Sequence, residues 1–256
     1  MNKNIDLSNY KLNTFVEDLQ QLGITLIENQ FVQFMQYYEL LINWNSFMNL
    51  TAITEYEEVL KKHFIDSLTI VKILTKEELL NSISVIDLGT GAGFPGIPLK
   101  IVFPNLQITL LDSLQKRVNF LQTVIDELSL SGIDVIHGRA EEYASAGKGK
   151  CREQYDLCVS RAVANLSTLS EYCLPYVKTG GVFIPYKSGK IEDEYLQAEE
   201  AIRLFGGKKE KQASFTIPGT DMSRTLLLIR KVNKTPAKYP RKAGLPSKEP
   251  LVSAIF

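Results

Sequence analysis

Ser84-Val85-Ile86-Asp87-Leu88-Gly89-Thr90-Gly91-Ala92-Gly93-Phe94 is the stretch that decides the fold of this chain. Val85, Ile86 and Leu88 make a short apolar run with the composition of a buried strand. The next five residues hold three glycines, so the strand ends in a loop with almost no side chains. Pro95, Gly96 and Pro98 follow, interleaved with the apolar residues Ile97, Leu99, Ile101 and Val102. Proline fits the first turn of a helix, where its missing N–H has no partner to lose. The order is strand, glycine loop, helix N-terminus. At such a junction a ligand reaches backbone N–H groups without meeting Cβ atoms.

The glycine spacing selects among ligands. A dinucleotide loop carries G-x-G-x-x-G. Here the pattern is Asp87-x-Gly89-x-Gly91-x-Gly93, and Phe94 stands where the dinucleotide pattern has its third glycine. An acid two residues before the first glycine resembles motif I of S-adenosylmethionine-dependent methyltransferases. That cofactor has no phosphate and carries an ammonium and a sulfonium, which a carboxylate near the loop suits. The plain alternative is a tight strand-to-helix turn with no ligand.

Beyond the loop, strands alternate with helices. Ile108 to Asp112 reads as a second strand, and Ser113 as the cap of a helix bearing Leu114, Val118, Leu121, Ile125 and Leu128. Val135-Ile136-His137 is a third strand and Tyr155 to Arg161 a fourth. Gly180-Gly181 introduces a fifth, and 213–217 with 225–229 form a closing pair, expected antiparallel. Upstream, residues 10–74 read as helical throughout. Amphipathic runs cover 12–22 and 27–44, and capping-box patterns stand at Thr54/Glu57 and Thr75/Glu78. Three segments follow: a helical region 1–75, a Rossmann-like domain 76–232 and a basic tail 233–256. Residues 233–250, with four prolines and several lysines, read as disordered.

Composition narrows the class. The chain has 256 residues, 45% hydrophobic and formally uncharged overall, enough for a large core. Charge is unevenly spread: residues 222–256 hold eight Lys/Arg against Glu249, leaving 21 basic and 28 acidic residues elsewhere. A basic end suggests either a polyanionic partner or a solvated tail. Cys151, Cys158 and Cys173 form no CxxC and no metal-ligand spacing, so no metal is expected. The N-terminus is polar, and no apolar run approaches the roughly 18 residues that span a bilayer. A cytoplasmic protein with no membrane contact is the expectation.

In a doubly wound sheet the ligand lies beyond the carboxyl ends of the strands. Four loops then face one crevice: 89–94, 112–113, 139–142 and 160–164. Asp112, about 20 residues past the glycines, is placed to accept ribose hydroxyls, or else to cap the next helix. Ala140 and Glu141 stand where an adenine edge would lie, although Glu141 also suits a helix N-terminus on its own account. Arg161 ends strand four, where a guanidinium can grip a cofactor carboxylate or a phosphate, or pair with an acid such as Asp156. The expectation for Arg161→Ala is a retained fold with most methyl transfer lost. His63 reads as a satisfied, partly buried histidine. Lys116, Arg117, Arg139, Lys187 and the tail are candidates for one RNA-facing surface.

At this point the sequence resembles the RsmG family, also called glucose-inhibited division protein B. The resemblance rests on Asp87 through Pro98, Leu110-Leu111-Asp112-Ser113 with Lys116-Arg117-Val118, Arg139-Ala140-Glu141-Glu142 and Ser160-Arg161-Ala162. Upstream it includes Trp44-Asn45, Asn49-Leu50-Thr51, His63 and Asp66-Ser67, and in the tail Tyr239 through Pro246. It implies a class I S-adenosylmethionine-dependent methyltransferase fold of the α/β type, with a closing antiparallel strand pair and a helical N-terminal extension. It implies methylation of N7 of a guanine in 16S ribosomal RNA, with the small ribosomal subunit as partner and S-adenosylhomocysteine as product. By motif it implies cofactor contacts at Gly89, Gly91, Phe94, Asp112, Ser113, Ala140, Glu141 and Arg161. A monomer is expected.

Absent motifs agree with N7 chemistry. An exocyclic-amine methyltransferase usually carries an Asn/Asp-Pro-Pro-Tyr/Phe loop after strand four, where this chain has Ser160-Arg161-Ala162-Val163. Cys158 lies within an apolar strand and is a poor nucleophile for pyrimidine C5 chemistry. Guanine N7 has an in-plane lone pair and no proton to lose, so alignment suffices and no catalytic base is expected; Arg161 is the candidate for positioning. Two rivals remain at this stage: an NAD(P)-dependent oxidoreductase, and a non-catalytic RNA-binding ribosome-assembly factor.

Overall fold

Along β1 (Ser84–Leu88) side chains alternate across the sheet, so Val85 packs into one core while Ile86 and Leu88 pack into another. The same alternation runs through β2 (Gln107–Asp112), β3 (Ile133–His137), β4 (Tyr155–Arg161), β5 (Val177–Ser188), β6 (Gly207–Thr216) and β7 (Ser223–Lys231). The sheet order is β3-β2-β1-β4-β5-β7-β6. β1 to β5 pair in parallel, while β7 runs antiparallel between β5 and β6. This is the class I methyltransferase arrangement, with its reversed strand pair at one edge. The computed structural model describes residues 5–161 and 164–252. Ala162 and Val163 of the loop after β4 lie outside the described residues, as do residues 1–4 of the polar N-terminus.

The helical N-terminal region is not helical throughout. It consists of a 3-10 turn Leu7–Asn9, α1 (Asn13–Gln21), α2 (Glu28–Met48), α3 (Tyr56–Val59), a π-helical stretch Leu60–Ile65, a helical turn α4 (Asp66–Leu68) and a 3-10 turn Thr69–Lys72, and α5 (Lys76–Leu80) follows it. Residues 22–27 and 49–55 connect them without helix; Gly23 at φ +66° and Asn49 at φ +50° turn the chain at the two breaks. The expected box at Thr54 does not form: Glu55 is the N-cap and offers no side-chain bond. The box at Thr75 and Glu78 does form, with reciprocal bonds of 3.2 and 2.7 Å.

These helices share one core with α6 (Gly96–Val102), α7 (Gln115–Glu127) and one face of the sheet. Phe34 lies 5.0 Å from Phe64, and Tyr37 lies 5.4 Å from both Phe64 and Phe94. Phe94 of the glycine loop is therefore anchored by aromatic rings brought from α2 and the π-helical stretch. The other face carries α8 (Ala140–Tyr143), α9 (Leu166–Cys173) and α10 (Glu192–Leu204). Cys151, Cys158 and Cys173 are buried here as free thiols, and burial pushes the Cys158 thiol well up. Among the described residues no helix is long and apolar enough to cross a membrane.

The tail is docked rather than disordered over the described residues to Val252. Arg241 grips Glu171 of α9 through its backbone N–H and its guanidinium, at 2.7–3.1 Å. Tyr239 packs edge-on against Phe205 at 5.1 Å, and Arg152 donates to the carbonyls of Thr235 and Tyr239. A short helix α11 (Leu245–Lys248) follows Gly244. Composition pointed the other way because Pro- and Lys-rich segments rarely find enough partners; this one finds a buried glutamate and an aromatic slot. Four of the eight basic residues are thereby spent internally: Arg224 on Asp66, Arg230 on Glu210, Lys231 on Glu153 and Arg241 on Glu171. Lys187 is likewise engaged, with Glu194 at 2.7 Å and the Ala164 carbonyl at 3.0 Å.

Candidate active site

A cleft of about 520 Å³ opens at the carboxyl ends of β1 to β4. Its floor is the glycine loop. Gly91 has φ +63°, and a Cβ placed on it would meet nothing within 4 Å, so the bare backbone faces open space. Gly93, at φ +96°, is closed in the opposite sense: a Cβ there would come within 2.6 Å of Ile97 and the Tyr37 hydroxyl. The Tyr37 hydroxyl also donates to the Ala92 carbonyl, so α2 braces the loop from behind.

Asp87 holds the loop from beneath rather than facing the cleft. It is fully buried, and its Oδ2 accepts from Thr90 Oγ1 at 2.6 Å and from the Gly96 N–H at 2.8 Å. Its Oδ1 has no hydrogen-bond partner. Burial is the largest influence on this carboxyl and raises it to about 6. The acid of the Asp-x-Gly pattern thus joins the strand end, the loop and the first turn of α6.

Asp112, at the end of β2, lines the cleft and crosses to the loop. Its Oδ2 accepts from the Gly91 N–H at 3.0 Å and meets Arg117 Nη1 at 3.3 Å, and its Oδ1 accepts from the Leu114 N–H at 2.9 Å. Ser113 does not cap α7; Leu114 is the N-cap and no side chain caps the helix, while Asp112 bonds the Leu114 N–H and Ser113 stands exposed on the cleft wall. Ala140 and Glu141 open α8 on the next wall. The Ala140 carbonyl accepts from Tyr176 Oη at 2.7 Å. Glu141 Oε1 accepts from the Gly244 N–H at 2.7 Å, so the docked tail steadies a cleft residue.

Arg161 lines the cleft from the end of β4 and is held from behind. Its Nη1 meets Asp66 Oδ2 at 2.8 Å and the Lys62 carbonyl at 3.2 Å, and its Nη2 meets His63 Nδ1 at 3.3 Å. The guanidinium sits 5.1 Å from the Phe94 ring centroid. The partner acid is Asp66, not Asp156, which is occupied by Ser84 and Lys178. Asp66 is itself gripped bidentately by Arg224 at 2.6 and 2.7 Å.

His63 stacks on Phe94 at 4.5 Å and closes the wall. Burial and the neighbouring Arg161 push it down to about 3, so it is neutral near pH 7. With Arg161 donating to Nδ1, the ring proton is assigned to Nε2, which reaches Thr51 Oγ1 at 2.8 Å.

All eight residues singled out from the sequence, namely Gly89, Gly91, Phe94, Asp112, Ser113, Ala140, Glu141 and Arg161, face this one cleft. Sequence reasoning missed the walls contributed from far away: Leu50, Thr51 and His63 from the helical region, and Leu169 and Tyr172 from α9. A signal existed for the first group, because Asn49-Leu50-Thr51, His63 and Asp66-Ser67 belong to the family resemblance. Among the described residues no cluster of three or more His, Cys, Asp and Glu stands as a metal site.

The two shifted groups give opposite pH slopes. Asp87 is raised, so its contribution to stability is fully present below about pH 4 and lost as pH rises through about 6. His63 is lowered, so its contribution is present above about pH 6.5 and lost as pH falls towards 3. Asp87→Asn removes the first slope only. Thermal melts across pH 4–6.5 should therefore show the variant gaining on wild type as pH rises, by about 2 kcal/mol over that range. A constant difference between the two melting curves would rule this account of Asp87 out.

The family model described as rRNA small subunit methyltransferase G matches residues 30–223. A protein of Lachnoclostridium phytofermentans named Ribosomal RNA small subunit methyltransferase G is 55% identical over 239 residues, covering 93% of this chain and 97% of its own. Proteins of the same name from Staphylococcus carnosus and Alkaliphilus metalliredigens are 51% and 50% identical, covering 93% and 91% of this chain and 97% and 95% of their own. Among solved structures, the [4+2]-cyclase SpnF superposes with a TM-score of 0.53 at 14% identity, covering 80% of this chain and 96% of its own. That likeness concerns the fold alone, since one fold hosts many chemistries.

Proposed function

The chain belongs to the rRNA small subunit methyltransferase G family, and from that premise we propose that its cleft binds S-adenosylmethionine and directs methyl transfer to N7 of a guanine in 16S ribosomal RNA. The observation that carries this is the meeting of the bare Gly91 backbone with the Asp112 carboxylate across the cleft. A glycine loop open to the cleft and a strand-end acid are what an adenosyl group needs: close backbone approach and an acceptor for ribose hydroxyls. The cofactor supplies an electrophilic methyl on sulfur.

The chain supplies binding and orientation. Gly89, Gly91 and Phe94 form the floor, Asp112 and Ser113 the ribose side, Ala140 and Glu141 the adenine side. Arg161, fixed by Asp66 and stacked beside Phe94, positions the reacting end. The N7 lone pair attacks the methyl carbon with no proton to be removed and the sulfide leaves, so no base is needed and alignment carries the rate. In this reading the helical region 1–75 closes the reacting side, 76–232 holds the cofactor, and the tail 233–256 braces the adenine wall. In this reading the protein works as a monomer in the cytoplasm, where ribosomal subunits are.

The test is methylation of small subunits from cells lacking this protein, followed by borohydride and aniline treatment of the RNA. Scission at a single guanine, dependent on enzyme and donor, is expected. Donor-dependent label that resists aniline scission would exclude N7.

A further inference from the structure

The packing of α2 on α7 fixes what stands at one side of the cleft's rim. Gln33 Nε2 donates to the Leu128 carbonyl at 3.0 Å, Gln36 Nε2 donates to the Glu127 carbonyl at 3.1 Å, and Trp44 lies 5.6 Å from Phe120. As residue numbers rise along α2 they fall along α7, so the helices are antiparallel. Both rise by the same increment per residue. One turn beyond Trp44 therefore comes alongside one turn before Phe120, which sets Phe47 beside Lys116 and Arg117.

Phe47 is 66% exposed and rests against Trp44 at 5.5 Å. Three residues on, Leu50 lines the cleft; across from it, so does Arg117. Lys116 is exposed, and Leu114, just before α7, is 43% exposed. One exposed aromatic on a protein surface needs no explanation. Here, however, the helix alignment puts the ring at the rim of the cleft with Lys116 and with Arg117, whose guanidinium also meets Asp112. Unpaired RNA is held in this way, by bases stacked on aromatic rings and phosphates met by basic side chains.

We infer that Phe47 stacks on an RNA base flanking the methylated guanine, with Lys116 meeting the adjoining phosphate. The inference rests on the rRNA reading of the cleft. An apolar rim also suits a protein partner, and the two occupants differ in what they ask of position 47. A stack needs an aromatic plane, whereas a protein contact needs only apolar bulk.

The experiment compares wild type with Phe47→Ala, Phe47→Leu, Phe47→Trp and Lys116→Gln on small subunits, with S-adenosylhomocysteine affinity measured in parallel. Phe47→Ala should lower kcat/KM about 5- to 150-fold, the range for one lost base–aromatic stack, through KM for the RNA. Its S-adenosylhomocysteine affinity should stay unchanged. Phe47→Trp should restore the loss and Phe47→Leu should not. Lys116→Gln should reduce the salt slope of RNA binding by about one. Wild-type rates in Phe47→Ala, or full rescue by leucine, would overturn the inference and, in the second case, favour a protein contact. A wild-type enzyme that methylates no ribosomal RNA would instead bring down the reading of the cleft itself.

Discussion

Asp112→Ala should weaken S-adenosylhomocysteine binding by about 100-fold or more and abolish measurable methyl transfer. The carboxylate gives each hydroxyl it accepts about 1.5–3 kcal/mol, and two such bonds reach that size. The loss has a second part. Asp112 accepts from the Gly91 N–H and the Leu114 N–H, so its removal also unties the glycine loop from the start of α7. Asp112→Asn keeps an oxygen for one of these donors and should fall between the two. Calorimetric titration with S-adenosylhomocysteine reads the binding, and a thermal melt separates it from unfolding. A wild-type dissociation constant in Asp112→Ala would show that the acid serves the helix cap alone.

Asp66→Ala should lower stability by about 3–5 kcal/mol, the usual result of removing one member from a buried ion cluster. It strands two guanidinium groups, since the Arg161 and Arg224 side chains are only 10% and 9% exposed. For a chain of this size the melting temperature should drop by roughly 6–20 °C. Arg161→Ala should cost less, because Arg224 keeps both bonds to Asp66. That revises the sequence-based expectation of an untouched fold: the activity loss in Arg161→Ala has to be measured well below the variant's own melting point. Denaturant unfolding of both variants checks the order. Equal stability of Asp66→Ala and wild type would mean that the cluster contributes nothing net.

What the sequence disclosed, and what it hid, follows the range of the interactions. The strand, the glycine loop and the following helix are written in consecutive residues. Asp112 and Glu141 end or follow strands whose apolar runs are unmistakable. Phe94 could be read as a cleft residue, but its stacking on His63 and Tyr37 could not, because those rings lie 31 and 57 positions away in the chain. The same holds for Arg161. Its position at a strand end was plain, yet its partner Asp66 comes from a helical turn 95 residues earlier. The tail misled for a related reason: local composition measures self-sufficiency, and Arg241 draws its order from Glu171, 70 residues back.

The bond from Gly244 to Glu141 links the order of synthesis to the order of assembly. Chains are made from the N-terminus and fold segment by segment as they emerge. The cleft wall at Glu141 is translated about a hundred residues before the segment that steadies it. Until residues 239–248 have been made and have folded back, the wall that carries Glu141 stands without this brace.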